Sequence, residues 1–581
     1  MRKRSKAEVS FNYLGQFDGV LGEARVLRIA QETPGPPQSP KMPRRYLLEV
    51  VGIVSGGRLR LGWTYNGRIH KRETIERVAR KYTEMLRALI RSSVLHTEGG
   101  YTPSDFPLAK LDQQMLDKLC GQRRDIEDIY PLSPLQHGLL FHTLYAPQSA
   151  AYFQQFHCEL NEELDQAAFL RAWEQVIERH PILRSSFAWE GLDGFLQIVS
   201  KKVSAPHRII DWSEAPRDKL ESCFESFLKE DRRNGFDLSK APLMRLTTIH
   251  GGPRRHWFVW SFHHILLDGW STPQLLKEVF AFYEANRRGE ILKPEPTRPF
   301  RDYIAWIQQG EGRAPKNFWR EYLKGFYAPT PLGLDIGGEL LPSQDEAYGI
   351  ERTSLTFDET AALKSLARRQ QLTVNTFVQA AWAMLLSRYS GEEEVLFGIV
   401  VSSRPPALKG VEAMIGLFIN TIPLRVRVPA DEPLTLWLRN LQLRQAELRD
   451  YEHTPLVQIQ GWSDVARGMP LFESVLVYEN YPSDSSLRHI GSRLGIRNVH
   501  VIENTSYPLT VEVLPDKEMG LELWYDSRRF DPSSVIRMLR QLKNLLLQMV
   551  ERPESLTGSF SLAGDEELSE LSRAFSQPEI N

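Results

Sequence analysis

Apolar residues recur at helical spacing in several stretches of the chain. In 72–91, RETIERVARKYTEMLRALIR, the residues Ile75, Val78, Tyr82, Leu86 and Leu89 share one face and predict an amphipathic helix. Val535, Leu539, Leu542, Leu545 and Leu546 predict another over 533–550. A third spans 164–179, with Phe169, Trp173, Val176 and Ile177 turned inward. It stops at His180-Pro181, because proline cannot continue a helix. Residues 257–262, WFVWSF, are continuously apolar and β-prone, the pattern of a buried strand. Ser271-Thr272-Pro273 then start a helix, with a hydroxyl for the N-cap and proline in the first turn. Its core face is Leu275, Leu276, Val279, Phe280 and Tyr283. Helices and strands mix in α/β order.

Polar and proline-rich stretches mark the breaks. Residues 34–43, PGPPQSPKMP, read as a surface loop, and 98–107, EGGYTPSDFP, as a boundary. Residues 96–125 form a linker with a short helical connector at 108–124, and 566–581 form a polar tail. Between them, two stretches echo each other. LRLGWTYNGRI (59–69) matches LELWYDSRRF (521–530): each runs from a strand-like segment through a polar turn into a helix. Upstream of each lies another matched pair, VSFNYLGQF (9–17) and ESVLVYENY (473–481). Residues 1–95 therefore read as the closing part of a second copy of the unit that fills 126–565.

The chain has 581 residues and a formal net charge of -1. That length implies more than one folding unit. The near-zero charge gives no reason to expect nucleic acid or an anionic membrane as a partner. Three cysteines, Cys120, Cys158 and Cys223, are too scattered for a disulfide framework or a zinc site, which suits a reducing cytosol. The basic start, MRKRSKAEVS, lacks the apolar stretch of a signal peptide, and no run of 18 apolar residues occurs. A cytoplasmic protein is expected.

Candidate chemistry sits between the predicted strand and the helix that follows it, in His263-His264-Ile265-Leu266-Leu267-Asp268-Gly269. Histidine exchanges protons near neutrality and can assist an amine or hydroxyl in attacking a carbonyl. Asp268 can fix the loop by pairing with a cation, and Gly269 permits a tight turn or close approach of a substrate. A His pair in a loop is also a common structural feature, and these residues alone leave both readings open. No GxSxG elbow or cysteine signature points to a covalent acyl-enzyme.

HHxxxDG is the signature of nonribosomal peptide synthetase condensation domains and their epimerising relatives. The chain resembles that family in further motifs, in order: YPLSPLQHGLLFH (130–142), ERHPILRSSF (178–187), FRDYIAW (300–306) and IGLFINTIPLRV (415–426). The resemblance covers about three quarters of the chain. It implies a two-lobed α/β (α+β), chloramphenicol-acetyltransferase-like fold with the active site in a tunnel between the lobes. The lobes are expected at 126–295 and 296–565. His264 takes the family's catalytic position, orienting the attacking amine or acting as its base, with His263 in support. Asp268 is implied to be structural, bridging to Arg184, and Gly269 to keep the site open. Asn420, Ser133 and Gln136 fall on positions implied to line the tunnel or place substrate. No metal and no directly bound cofactor are implied. The 4′-phosphopantetheine arms belong to partner carrier domains, upstream and downstream, and an adenylation domain of the same synthetase is a further partner.

Two late motifs depart from the common family pattern, EHTPL (452–456) and GMPLF (468–472). FNYLGQFD (11–18) resembles the last motif of an epimerisation domain. Together with SPLQHGLLFH and HHILLDGWS, this resembles the subtype that joins a donor ending in a D-residue to an L-aminoacyl acceptor. Two rival readings share the fold: an acyltransferase using soluble acyl-CoA, and a non-catalytic fragment that only docks carriers.

Overall fold

The computed structural model describes residues 7–16, 45–55, 57–95, 100–145, 152–160, 164–192, 194–216, 218–252, 255–310, 315–334, 348–479, 496–502 and 507–564. The loop at 34–43, Phe17-Asp18 of the first motif and the tail at 566–581 lie outside these residues. The chain divides into two compact units, Met1–Gly100 and Tyr101–Asn581.

Unit 1 contains β1 (Val9–Gln16), β2 (Leu48–Ser55), β3 (Arg58–Tyr65) and α1 (Arg72–Leu95). β1 runs parallel to β2, from Val9 opposite Leu48, and β2 pairs antiparallel with β3, from Leu48 opposite Tyr65. Trp63 packs edge-on against Tyr82, joining sheet to helix. Three strands and one helix give little interior. Val50 and Ile75 are buried, but Phe11, Tyr13, Met85, Leu89 and Ile90 are exposed.

Unit 2 begins with α2 (Gln113–Cys120), capped by the Asp112 carboxylate on Met115 N. The residues read as a linker are not free from Tyr101 on. Phe106, Leu116 and Cys120 form a buried cluster with Ile126, Ile129, Leu196 and Ile198. Next come β4 (Ile126–Pro131), α3 (Pro134–Tyr145), β5 (Phe153–Leu160), α4 (Gln166–Arg179), β6 (Ser185–Ala188), β7 (Leu196–Ser200), β8 (His207–Asp211), α5 (Leu220–Arg233), β9 (Met244–His250) and β10 (His256–His263). β10 is buried along its whole length because both faces are covered. Phe258, Trp260 and Phe262 join the large core of this half, while Trp257 and Val259 pack against Phe224 and Leu228 of α5. That double burial explains its continuously apolar sequence.

α6 (Ser271–Arg288), α7 (Arg301–Gln309) and α8 (Pro315–Tyr322) follow. The second half holds β11 (Tyr348–Ser354), α9 (Phe357–Gln370), α10 (Val374–Ser390), β12 (Glu394–Val401), β13 (Asn420–Arg427), α11 (Leu434–Leu448), α12 (Leu456–Trp462), β14 (Ser474–Tyr478), β15 (Ile496–Ile502), β16 (Leu509–Leu514), β17 (Gly520–Asp526) and α13 (Pro532–Glu551). Its six-stranded sheet runs β11-β17-β16-β14-β12-β13. β14 is parallel to β16, β16 antiparallel to β17, and α13 follows. That is the order and sense of β1, β2, β3 and α1, so the echo read from sequence is a repeated topology.

The two lobes do not part at 295/296. Phe300, Tyr303 and Ile304 belong to the first core, as do Leu408, Val411, Met414, Ile415, Leu417 and Phe418 from far downstream. β15 also leaves the second half and pairs antiparallel with β5, Ile496 opposite Leu160. A boundary drawn along the sequence misses these exchanges, because they are contacts between distant segments.

The division into two compact units predicts that unit 2, which holds the large cores, folds without unit 1. A chain starting at Tyr101 is expected to unfold cooperatively at the midpoint that this unit shows in the full chain, read by calorimetry. A lowered midpoint would mean that unit 2 depends on residues 1–100.

Candidate active site

His264 lies just past the end of β10, where the chain turns toward α6. Its backbone N–H donates to Tyr152 O at 2.8 Å. Its ring Nδ1 lies 2.7 Å from Leu267 O. A carbonyl only accepts, so Nδ1 carries the proton and Nε2 is left as the acceptor. Burial lowers the His264 pKa, against the opposing pull of Leu267 O and Asp268, so the ring is neutral at pH 7. His263 is held at both ring nitrogens. Its Nδ1 accepts from Ile265 N at 3.1 Å, and its Nε2 faces Thr143 Oγ1 at 3.3 Å. Burial and then the neighbouring His264 push its pKa down to about 3, so it stays uncharged.

Asp268 is wholly buried and does three things. Its Oδ1 accepts from Ser271 N at 2.8 Å, tying the loop to the first residue of α6, while the Ser271 hydroxyl, expected as the cap, donates to Gly416 O. Its Oδ2 accepts from Phe418 N at 3.0 Å, tying the loop to the IGLFINT segment. Its cationic partner is Arg404, at 3.3 Å, and not Arg184. Arg184 pairs instead with Glu127 at 2.5 Å and donates to the carbonyls of Ile177, Ser200 and Lys201. It locks β7 and the end of α4, away from the His264 loop. Arg404 also donates to Ser271 Oγ and to the carbonyls of Val411 and Met414. Burial lowers the Arg404 pKa and Asp268 opposes that shift, as expected for an enclosed ion pair. In the sequence, Arg404 showed only as an arginine soon after an apolar strand.

The IGLFINT segment meets this loop edge to edge. Asp268 N donates to Gly416 O, and Gly416 N donates to Ser271 Oγ. A Cβ on Gly416 would lie 2.2 Å from the Phe300 ring, so the contact needs glycine. Gly269 occupies the half-buried turn between Asp268 and Trp270.

The remaining expected site residues divide. Gln136 is fully buried, and its amide is spent on structure: Nε2 donates to Ile265 O and Gln197 Oε1, and Oε1 accepts from Ser133 N. Ser133 Oγ reaches toward Leu417 O and accepts from Gln136 N. Both hold the loop beside His264 instead of presenting polar groups to a substrate. Asn420, at the start of β13 and 2% exposed, donates to Glu452 O and Thr454 O. Its Oδ1 is buried without a partner. Asn420 thus brings in the Glu452 segment, part of the EHTPL departure that the sequence tied only to subtype.

Known proteins share this arrangement of elements. A family model described as Condensation domain matches residues 126–572. A linear gramicidin synthase subunit of Brevibacillus parabrevis is 43% identical over 570 residues, which is 98% of this chain and 7% of that protein. The chain therefore spans under a tenth of that relative's length. The first condensation domain of the calcium-dependent antibiotic synthetase, in complex with a substrate analogue, superposes with a TM-score of 0.61 at 16% identity, over 75% of this chain and 100% of that one. A four-domain nonribosomal peptide synthetase bound to AMP and glycine gives a TM-score of 0.63 at 19% identity, over 76% of this chain and 34% of that one. These likenesses bear on the fold, which is the two-lobed, mixed α/β, chloramphenicol-acetyltransferase-like one.

Proposed function

The chain belongs to the condensation-domain family of nonribosomal peptide synthetases, and on that premise we propose that its His264 centre joins two carrier-bound acyl groups through an amide bond. The donor is a peptidyl thioester on an upstream carrier, and the acceptor an aminoacyl thioester on a downstream one. Both arrive on phosphopantetheine arms, which makes those arms part of the substrates. An adenylation domain of the same synthetase loads the acceptor. The thioester carries the activation, so positioning and proton transfer are what the protein must add.

The observation that carries this reading is the 2.7 Å contact of His264 Nδ1 with Leu267 O, which sets the tautomer. With Nδ1 committed to Leu267 O, Nε2 is the acceptor on a neutral ring and has no hydrogen-bond partner among the described residues. The acceptor amine attacks the thioester carbonyl, its proton passes to Nε2, and the same proton goes to the departing pantetheine sulfur. One C–N bond forms and one C–S bond breaks, giving an amide and a thiol. Purified chain supplied with a loaded donor carrier and a loaded acceptor carrier should release the amide on the acceptor. Turnover with free acyl-CoA but not with carriers would favour the acyltransferase rival.

The donor is proposed to end in a D-residue. Support comes from the FNYLGQFD motif and from unit 1, whose topology repeats the closing part of unit 2. The match to the gramicidin synthase protein extends over 98% of this chain, and so into unit 1. Unit 1 is read as the closing part of an epimerisation-type unit. Inverting the donor Cα exchanges side chain and hydrogen and moves the carbonyl off the line of attack. A misplacement of about 1 Å can cost about 10²-fold in rate. Matched D- and L-terminated donor carriers should therefore differ by about that factor in initial rate. Equal rates would remove the subtype and leave the condensation reading standing.

A further inference from the structure

Backbone strain marks a further residue at the His264 loop. Among the described residues, five other than glycine have a positive φ. Gln371 ends α9 and Asn498 is an asparagine, both ordinary in the left-handed region. Tyr152, at φ 64°, and Ser403, at φ 43°, adjoin the candidate site instead. Ser403 precedes Arg404, the partner of Asp268. Tyr152 touches the His264 loop itself. A bulky side chain takes this conformation only where its surroundings fix it, and such residues gather at active sites.

Tyr152 stands directly before β5. The β5–β10 ladder ends with His263 opposite Phe153. One further bond follows, from His264 N–H to Tyr152 O at 2.8 Å. A left-handed residue cannot continue a strand, so the pairing stops at His264 and leaves the loop to turn. The Tyr152 ring is buried, 6.5 Å from the His263 ring and 6.3 Å from the His142 ring. His142 belongs to α3, and so does Thr143, whose Oγ1 meets His263 Nε2. Tyr152 therefore holds the main chain of His264 and, together with α3, braces the histidine beside it. The His264 ring has its own anchor, Leu267 O, at 2.7 Å from Nδ1. Main chain and ring are thus held separately, and together they aim Nε2.

We propose that Tyr152 is a positioning residue, whose left-handed backbone and braced ring set the direction in which His264 presents Nε2 to the acceptor amine. This rests on the condensation reading and deepens it. Tyr152 acts through His264 and takes no part in the proton transfer. Its loss should therefore lower kcat and leave KM for both carrier substrates unchanged. A displacement of about 1 Å at a reacting group can cost about 10²-fold in rate.

Three variants of the full chain separate the backbone from the ring. Tyr152→Phe keeps both and should turn over as wild type does. Tyr152→Gly accepts a positive φ but has no ring, and its kcat should be intermediate. Tyr152→Val is β-branched and disfavoured at that φ, and should lose about 10²-fold in kcat. Each is assayed with both carriers loaded, beside an unfolding curve. NMR of histidine-labelled chain adds a readout that needs no turnover. The His264 ring signals should move in Tyr152→Val and stay in place in Tyr152→Phe. Wild-type kcat in folded Tyr152→Val, a loss confined to KM, unmoved ring signals in that variant, or a Tyr152→Phe as slow as Tyr152→Val would each overturn the proposal. If Tyr152→Val does not fold, Tyr152→Gly decides: wild-type kcat with unmoved ring signals overturns it. Absence of amide from wild type would instead sink the condensation reading, and the ring signals would still decide the role of Tyr152.

Discussion

His264→Ala is expected to reduce amide formation by about 10²–10⁴-fold while the protein stays folded. The ring is half-buried at the end of β10, and its contribution to stability is one hydrogen bond from Nδ1 to Leu267 O. A bond of that kind is worth about 1 kcal/mol, well within what a domain of this size tolerates. The chemistry loses more, because no other described side chain offers an acceptor nitrogen at this loop: His263 is bound at both nitrogens and held neutral. His264→Gln offers an amide but no titratable acceptor, and should fall nearly as far. Single-turnover rates with both carriers loaded, alongside an unfolding curve for each variant, provide the measurement. Near-normal turnover by folded His264→Ala would remove His264 from the mechanism and leave positioning as the main effect. The pH sign follows from burial. The neutral ring is the working form, and its pKa lies below the ordinary value of about 6.5, so its own activity loss should come on the acid side of that value.

Asp268→Ala should be the most destabilising single change in the loop, at about 3–5 kcal/mol. It leaves Arg404 buried without its carboxylate and strips the acceptor from Ser271 N and Phe418 N. Arg404→Ala should cost less, since Asp268 keeps those two backbone donors. The pair should couple, with the double variant losing about 0.5–3 kcal/mol less than the sum of the singles. Arg184→Ala serves as the control. Its partners are Glu127 and a set of carbonyls, so its loss should add to that of Asp268→Ala without coupling. Denaturant unfolding of the single and double variants beside wild type gives the cycle. Strict additivity for Asp268 with Arg404, or coupling of Asp268 with Arg184, would contradict this geometry.

Much of the architecture was legible along the chain because local periodicity reports local burial. The stripe of Val535, Leu539, Leu542 and Leu546 gave α13, and the unbroken WFVWSF run gave β10, a strand covered on both faces. The repeat between residues 9–69 and 473–530 was visible because the same strand-turn-helix pattern recurs, although in unit 1 Val78 and Leu89 of the helix stripe stay exposed. His264 stood out because histidine, aspartate and glycine cluster within seven residues and sit where a strand ends.

The tertiary structure decided what depends on segments far apart. Which arginine meets Asp268 is such a question. Arg184 was the nearer choice in a recognised motif, but Arg404, 136 positions away, is the one brought to it, by the packing of the 408–418 segment into the first core. The same holds for Gln136, whose amide is consumed by Ile265 O and Gln197, for β15 crossing to pair with β5, and for Asn420, whose amide N–H groups are spent on the carbonyls of Glu452 and Thr454. Residue type and spacing fix what a side chain can donate or accept and which face it takes. Which donor meets which acceptor across about 100 or more residues is set by how the cores pack, and periodicity in the sequence carries no record of it.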